Sequence, residues 1–360
     1  MRQALFALLT FVLVPPLAAE PPAIAPPPRP AAKKVAATIE TTLSTGQKQI
    51  RQFALDGDPD TYFASEKNAS PSDHFSIVLD APVSIASIRV LSGKPGGAEA
   101  LDHGVLEVSS DGKEFEAVGQ FAKGVAAATL KGMNAKVIRI RPMQELDHPL
   151  VIREIEIDSQ PAVAVFKYPV EFVLDSSDAP EMKEWLEKAG RICERNYGML
   201  CDDLMSPGFK PTTLIYMTLK NSYNGVAEAS GNRILGSVKY FKSHLDDFGA
   251  MVHETTHCVQ VYRSRRNPGW LVEGIADYER FFRYEPGNIG RLDVRRASYD
   301  GSYRVTAAFL DFVSQQYQPM VVRKLNALMR EGRYIEDAWK EITGKTAAEL
   351  NAEWQRSLMR

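Results

Sequence analysis

The sequence predicts two folded domains in series, an all-β sandwich over residues 37–158 and an α+β domain over residues 163–360. Three observations carry this prediction. A chain of 360 residues exceeds one ordinary core of about 100–200 residues. Short alternating apolar runs bounded by turn residues fill the first part, whereas helical spacing dominates beyond residue 245. The change of style falls at Asp158-Ser159-Gln160-Pro161.

Composition narrows the function. With 44% hydrophobic and 24% charged residues the chain is an ordinary globular one. Its 43 basic and 45 acidic residues leave a net charge of -2, which gives no global field for gripping nucleic acid. Three cysteines are too few for a disulfide framework, so apolar cores must carry stability.

At the start, Arg2 precedes the uncharged run Ala4 to Val14, followed by Pro15-Pro16-Leu17-Ala18-Ala19-Glu20. A positive residue, a short apolar stretch and small residues before a polar one predict a signal peptide over residues 1–19. The run is well short of the ~20 residues a spanning helix needs. The expectation is an exported protein, periplasmic or extracellular, with no membrane span after cleavage. Residues 20–36 are read as a linker, because the proline-rich stretch EPPAIAPPPRPAA favours an extended, semi-rigid spacer.

The sandwich rests on runs such as Phe75 to Leu79, Ile85 to Leu91, Gly104 to Val108, Val137 to Ile140 and Val151 to Ile157. Turns such as Ser110-Asp111-Gly112-Lys113 separate them, as in an antiparallel sandwich. Asp56, Asp58 and Asp60 have two readings. They can supply oxygens to calcium, or Asp-Gly-Asp-Pro can form a tight loop whose side chains bond their own backbone. His74, His103 and His148 are scattered without ligand spacing.

The order of these pieces resembles a known family. Ala54-Leu55-Asp56-Gly57-Asp58-Pro59-Asp60-Thr61-Tyr62-Phe63-Ala64-Ser65, a strand ending in Leu79-Asp80, Val105 to Gly112 and a closing Val-Ile-Arg-Ile strand are similar to a discoidin-type (F5/8 type C) domain. The resemblance implies a jelly-roll sandwich that attaches to carbohydrate or a surface. One departure is Phe63, where the family usually has Trp.

In the second part, Val170 to Leu174 and Thr212 to Leu219 read as strands, and Pro180 to Arg195 as an amphipathic helix with Pro in its first turn. Further helices are expected at 245–264, 270–284, 303–317, 319–331, 334–342 and 346–358. Strands first and helices after give an α+β domain.

Within it stands His253-Glu254-Thr255-Thr256-His257, an HExxH motif. Positions i and i+4 share one face of a helix, so both imidazoles can bind one zinc ion. Glu254 then stands beside that face as general base for a zinc-bound water. A catalytic zinc site wants a third protein ligand. Glu273 and Asp277, again i and i+4 on a following helix, are the candidates, and on spacing alone either could serve. The pattern resembles the gluzincins, which implies Glu273 as third ligand and Asp277 as the residue that holds a ligand histidine. The apolar stretch Phe248 to Val252 before the motif argues against a merely solvated helix face, since buried polar groups without partners are costly.

A closer resemblance covers about 190 residues. The segments His253 to Gln260, Leu271 to Tyr278, Tyr303 to Asp311 and Leu325 to Arg330 are similar, in this order, to the basic secretory protein family of plants and microbes. That implies a zincin-like metallopeptidase domain. The chain departs from the family in not being basic, and in Cys258, where the family often has an apolar or aromatic residue.

Three readings stay open on sequence. Ala227 to Ile234 is either an edge strand that pairs with an extended substrate or a surface hairpin. Tyr303 is either a donor to the oxyanion of the reaction or a core aromatic. Cys193 and Cys201 are either bridged or free. The leading expectation is an exported zinc peptidase acting on protein or peptide substrates, with a sandwich that binds glycan or a cell surface. The residues from 163 onward hold the whole active site, so hydrolysis is expected to be separable from the sandwich. The alternatives are a peptidase specific for glycosylated proteins and a non-catalytic surface or carbohydrate-binding protein. The intact Glu254 argues against the last, because a structural zinc site needs no base.

Overall fold

The computed structural model describes residues 34–262, 264, 266–293, 297–301 and 303–359. The expected signal peptide, and the linker as far as residue 33, lie outside the described residues. No described helix is long and apolar enough to cross a membrane.

The first domain is a jelly-roll sandwich of seven strands: β1 (Ala37–Thr41), β2 (Phe63–Asn68), β3 (Phe75–Ser92), β4 (Gly104–Ser109), β5 (Glu116–Gln120), β6 (Val125–Pro142) and β7 (Pro149–Gln160). All pairings between them are antiparallel, in the order β2-β7-β3-β6-β4-β5, with β1 on β3. The long strands β3 and β6 break register between Val78 and Val83 and again between Ile85 and Ser87. Such irregularities bend a strand and raise its twist, which lets the sheet curl around one core. That core gathers the inward positions of the alternating runs, among them Phe63, Phe75, Ile77, Ile88, Leu106 and Ile152.

The second domain opens with β8 (Glu171–Asp175) and α1 (Lys183–Asp203), then β9 (Leu214–Lys220), β10 (Ala227–Ser230) and β11 (Arg233–Ser237). Next come α2 (Val238–Ser243), α3 (Gly249–Gln260), α4 (Gly269–Tyr278), α5 (Tyr303–Gln316), α6 (Val321–Arg330), α7 (Ala338–Thr343) and α8 (Ala347–Leu358). The sheet order is β10-β11-β9-β8, with β8, β9 and β11 parallel and β10 antiparallel at the edge. Residues 227–234 are therefore both things the sequence offered. β10 is an edge strand, and with the turn Gly231-Asn232 it forms a hairpin with β11.

Two expectations change and one open reading is resolved. The helix expected over 245–264 is shorter at both ends, since Asp247 accepts from Ala250 N at its start and Val261 turns left-handed (φ 48°) at its end. The helix expected to stop at Arg195 runs on to Asp203, because Tyr197, Leu200 and Cys201 face the core. Helix α1 is unbroken between Cys193 and Cys201. Eight residues of helix rise ~12 Å, beyond the ~7 Å limit for bridged Cα atoms. All three cysteines are free and buried.

The two domains meet across a polar seam. Arg51 of the sandwich reaches Glu171 (3.2 Å) and Glu194 (2.9 Å), and the Thr45 hydroxyl donates to both Glu171 oxygens (2.7 and 2.8 Å). Val170 N donates to Gln52 Oε1 (2.9 Å), and Arg195 grips Asp80 with two bonds of 2.6 and 2.9 Å. Val35, placed by sequence at the end of the linker, pairs with Val163 instead.

Candidate active site

Helix α3 buries nearly every side chain it has, including Met251, Val252, Thr255, Thr256, Cys258 and Val259. The two threonines are tolerated there because their hydroxyls donate back to Met251 O (2.7 Å) and Val252 O (3.0 Å), which leaves no orphan donor. Helix α4 comes close to α5 through Gly274, where a Cβ would collide with the Thr306 methyl group. This packing sets Glu273, the preceding residue, against α3.

The motif residues converge. His253 Nε2, His257 Nε2 and Glu273 Oε2 stand 3.2 Å from one another. Behind them His253 Nδ1 meets Asp277 Oδ1 at 2.7 Å. A carboxylate only accepts, so His253 carries a proton on Nδ1 toward Asp277 and turns Nε2 toward the other two donor atoms. Glu273 thus belongs to the converging set and Asp277 stands behind it.

Electrostatics follow from this crowding. Burial favours the neutral form of Glu273, but two imidazoles on its carboxylate outweigh it and hold the pKa down to about 2. Burial likewise opposes charge on His253, yet Asp277 and Glu273 raise its pKa to about 9. Both shifts describe a site that favours positive charge among its donors. Glu254 is 7% exposed, and burial raises its pKa above the ordinary carboxylate value. Among the described residues its carboxylate makes no hydrogen bond.

These groups line a cleft of about 920 Å³, bounded on one lip by Ala227, Glu228 and Ala229 of β10. Tyr303 lies on the cleft, 52% exposed with its ring 6.2 Å from that of His253, so it is no core aromatic. Tyr223, which sequence reasoning passed over, lines the cleft too and donates to Glu228 Oε2 (3.3 Å).

Gln260 was also missed as a functional residue. It is 2% exposed, its Oε1 lies 2.8 Å from His257 Nδ1, and its Nε2 donates to Val272 O at 2.9 Å. Its position one turn past His257 was the available signal.

In the sandwich, the acidic turn does bond its own backbone. Asp56 Oδ1 accepts from Asp58 N (2.9 Å), and Asp58 Oδ1 accepts from Asp60 N (3.0 Å). A further carboxylate, Glu154 of β7, lies near Asp56. It is 4% exposed and its Oε2 is buried without a partner. Burial first, then the charge of Asp56, pushes the Glu154 pKa up to about 7.

Comparison with known proteins bears on both domains. The family model "F5/8 type C domain" matches residues 36–155. Among solved structures, the CBM32-1 module from a family 31 glycoside hydrolase of Clostridium perfringens is 20% identical at a TM-score of 0.30, covering 34% of this chain and 92% of that one. The family 32 CBM of C. perfringens NanJ in complex with galactose is 17% identical at 0.29, covering 34% and 92%. The C-terminal domain of a chitobiase from Bacteroides fragilis is 20% identical at 0.28, covering 34% and 93%. Comparison with curated proteins returned no significant match. The family model "Peptidase of plants and bacteria" matches residues 161–354, more than half of the sequence, and the chain belongs to that peptidase family.

Proposed function

We propose that this chain is an exported zinc peptidase in which His253, His257 and Glu273 hold the metal, Glu254 is the general base and Asp277 orients His253. The observation that carries the reading is the triangle of donor atoms with 3.2 Å edges. Zinc holds nitrogen and oxygen donors at about 2.0–2.1 Å in near-tetrahedral geometry, which spaces any two of them about 3.3–3.4 Å apart. The donor set fits. It is also chemically apt, because two neutral imidazoles and one carboxylate leave a fourth position open, as catalytic zinc sites do.

When bound, zinc supplies Lewis acidity that activates water and polarises a peptide carbonyl. The chain's own residues do the rest. Glu254, shielded from solvent, takes a proton from the attacking water and delivers it to the leaving amine. Asp277 keeps the His253 proton on Nδ1, so that Nε2 remains a donor atom. The Tyr303 hydroxyl, from its exposed place on the cleft, hydrogen-bonds to the oxygen on which negative charge develops. The edge strand β10 lies along one lip, where an extended peptide can pair with its free backbone groups and be held by its main chain.

The sandwich is proposed to attach the enzyme to glycan or another surface, and calcium is proposed to bind at the acidic turn Asp56, Asp58 and Asp60, beside which one Glu154 oxygen is buried without a partner. The test of the reading is hydrolysis of a generic protein substrate, before and after chelation. Activity should vanish on chelation and return with zinc. Full activity in metal-free protein would refute the proposal.

A further inference from the structure

His257 has no carboxylate behind it. Its Nε2 belongs to the donor triangle, so its proton must sit on Nδ1, and the atom facing Nδ1 is Gln260 Oε1 at 2.8 Å. Which end of the amide faces the ring is decided at the other end. Gln260 Nε2 lies 2.9 Å from the carbonyl of Val272, which only accepts, so the NH₂ must be there and the oxygen at His257. At 2% exposure, the Gln260 amide is largely withdrawn from solvent.

The second bond reaches across helices. Val272 lies on α4 and immediately precedes Glu273, so one side chain ties the second histidine of α3 to the backbone that carries the third donor. The end of α3 is shaped around this strut. Arg330 takes the carbonyls of Val259 (2.9 Å) and Gln260 (3.0 Å), and Val261 is held left-handed at φ 48° directly afterwards. A β-branched residue there is strained and persists only where its surroundings fix it.

Charge explains why the residue is an amide and not an acid. Glu254, Glu273 and Asp277 already bring three carboxylates to this cleft. A further one at position 260 would add to that negative charge, and its oxygen would face the Val272 carbonyl with no hydrogen to share.

We propose that Gln260 is a positioning residue that fixes the His257 proton on Nδ1 and locks α3 to α4 at the spacing the three donors need. This rests on the zinc reading above, and the experiment separates the two. In the full chain, selectively ¹⁵N-labelled histidine gives only six residues to assign, and long-range ¹H–¹⁵N correlation of the zinc-free protein reports the His257 tautomer without any metal. Zinc affinity is then measured by chelator competition for wild type, Gln260→Met and Gln260→Glu. Wild type should show the Nδ1–H form. Gln260→Met, of similar length but without the bonds, should lose that preference and bind zinc about 10–100-fold more weakly. Gln260→Glu keeps the acceptor but not the tie to Val272, so it should retain the tautomer while losing part of the affinity. An Nε2–H form in wild type, or an unchanged tautomer with zinc affinity within about threefold in Gln260→Met, overturns the proposal. Should Gln260→Met fail to fold, the wild-type tautomer and Gln260→Glu still decide it. A wild type that shows Nδ1–H but binds no zinc would sink the zinc reading and leave the orienting role standing.

Discussion

Arg51→Met, a substitution in the sandwich, should destabilise the peptidase domain. The Arg51 guanidinium lies between Glu171 (3.2 Å) and Glu194 (2.9 Å), and the three side chains are 14%, 10% and 8% exposed. Removing one partner of a buried ion pair costs about 3–5 kcal/mol, because the other charge is left without compensation. Here the low end applies. Glu171 keeps the Thr45 hydroxyl and the Arg51 amide, and Glu194 keeps Arg191 and the Phe172 amide. About 3 kcal/mol is roughly two powers of ten in the folding equilibrium. The assay is direct, since all four tryptophans, Trp185, Trp270, Trp339 and Trp354, lie in the second domain. Urea unfolding followed by their fluorescence therefore reports that domain alone. Adding Glu194→Gln should recover part of the loss, as expected for coupled neighbours. A fragment of residues 163–360 should unfold at lower urea than the full chain, because Glu171 and Val170 N lose their sandwich partners. If Arg51→Met moves stability by less than about 1 kcal/mol and the fragment unfolds at the full-chain midpoint, the seam does not couple the domains.

Other outcomes follow from single contacts. Glu273→Ala should empty the zinc site, whereas Asp277→Asn should weaken zinc about 10–100-fold by chelator competition; the reverse order would exchange their roles. Gly274→Ala should cost about 1–3 kcal/mol in urea unfolding, through the collision with Thr306. Glu154 has its folded pKa raised to about 7 from 4.5, so calcium-free protein binds more protons folded than unfolded. Stability should then fall as pH rises from about 4.5 through 7, and added calcium at pH 8 should restore it. A pH-independent sandwich indifferent to calcium would remove that site.

The parts of the site that were legible in the sequence are those written at helical spacing. His253 and His257, and Glu273 and Asp277, each share a face because each pair is one turn apart, and that does not depend on distant structure. The role of Gln260 was not legible, because half of it is a bond to the backbone of another helix. Glu154 was hidden for a related reason, since its neighbour Asp56 lies in a loop far from it in the chain. Local propensity misjudged α1, where Asn196 and Gly198 look like stop signals. There Asn196 donates back to Ile192 O (2.8 Å), and the burial of Tyr197, Leu200 and Cys201 carries the helix onward. The seam was invisible because Arg51, Glu171 and Glu194 look like ordinary surface charges until the domains are packed.

If one zinc and one carboxylate base act together, the Glu254→Gln protein separates them. Zinc per chain and hydrolysis of an unstructured peptide are measured on the same sample beside wild type. About one zinc is expected in both proteins, with a rate lower by about 10²–10⁴ in the variant, the usual contribution of a positioned base. A variant that keeps its zinc and hydrolyses the peptide within about tenfold of wild type, or a wild type that holds no zinc after reconstitution, would contradict that joint action.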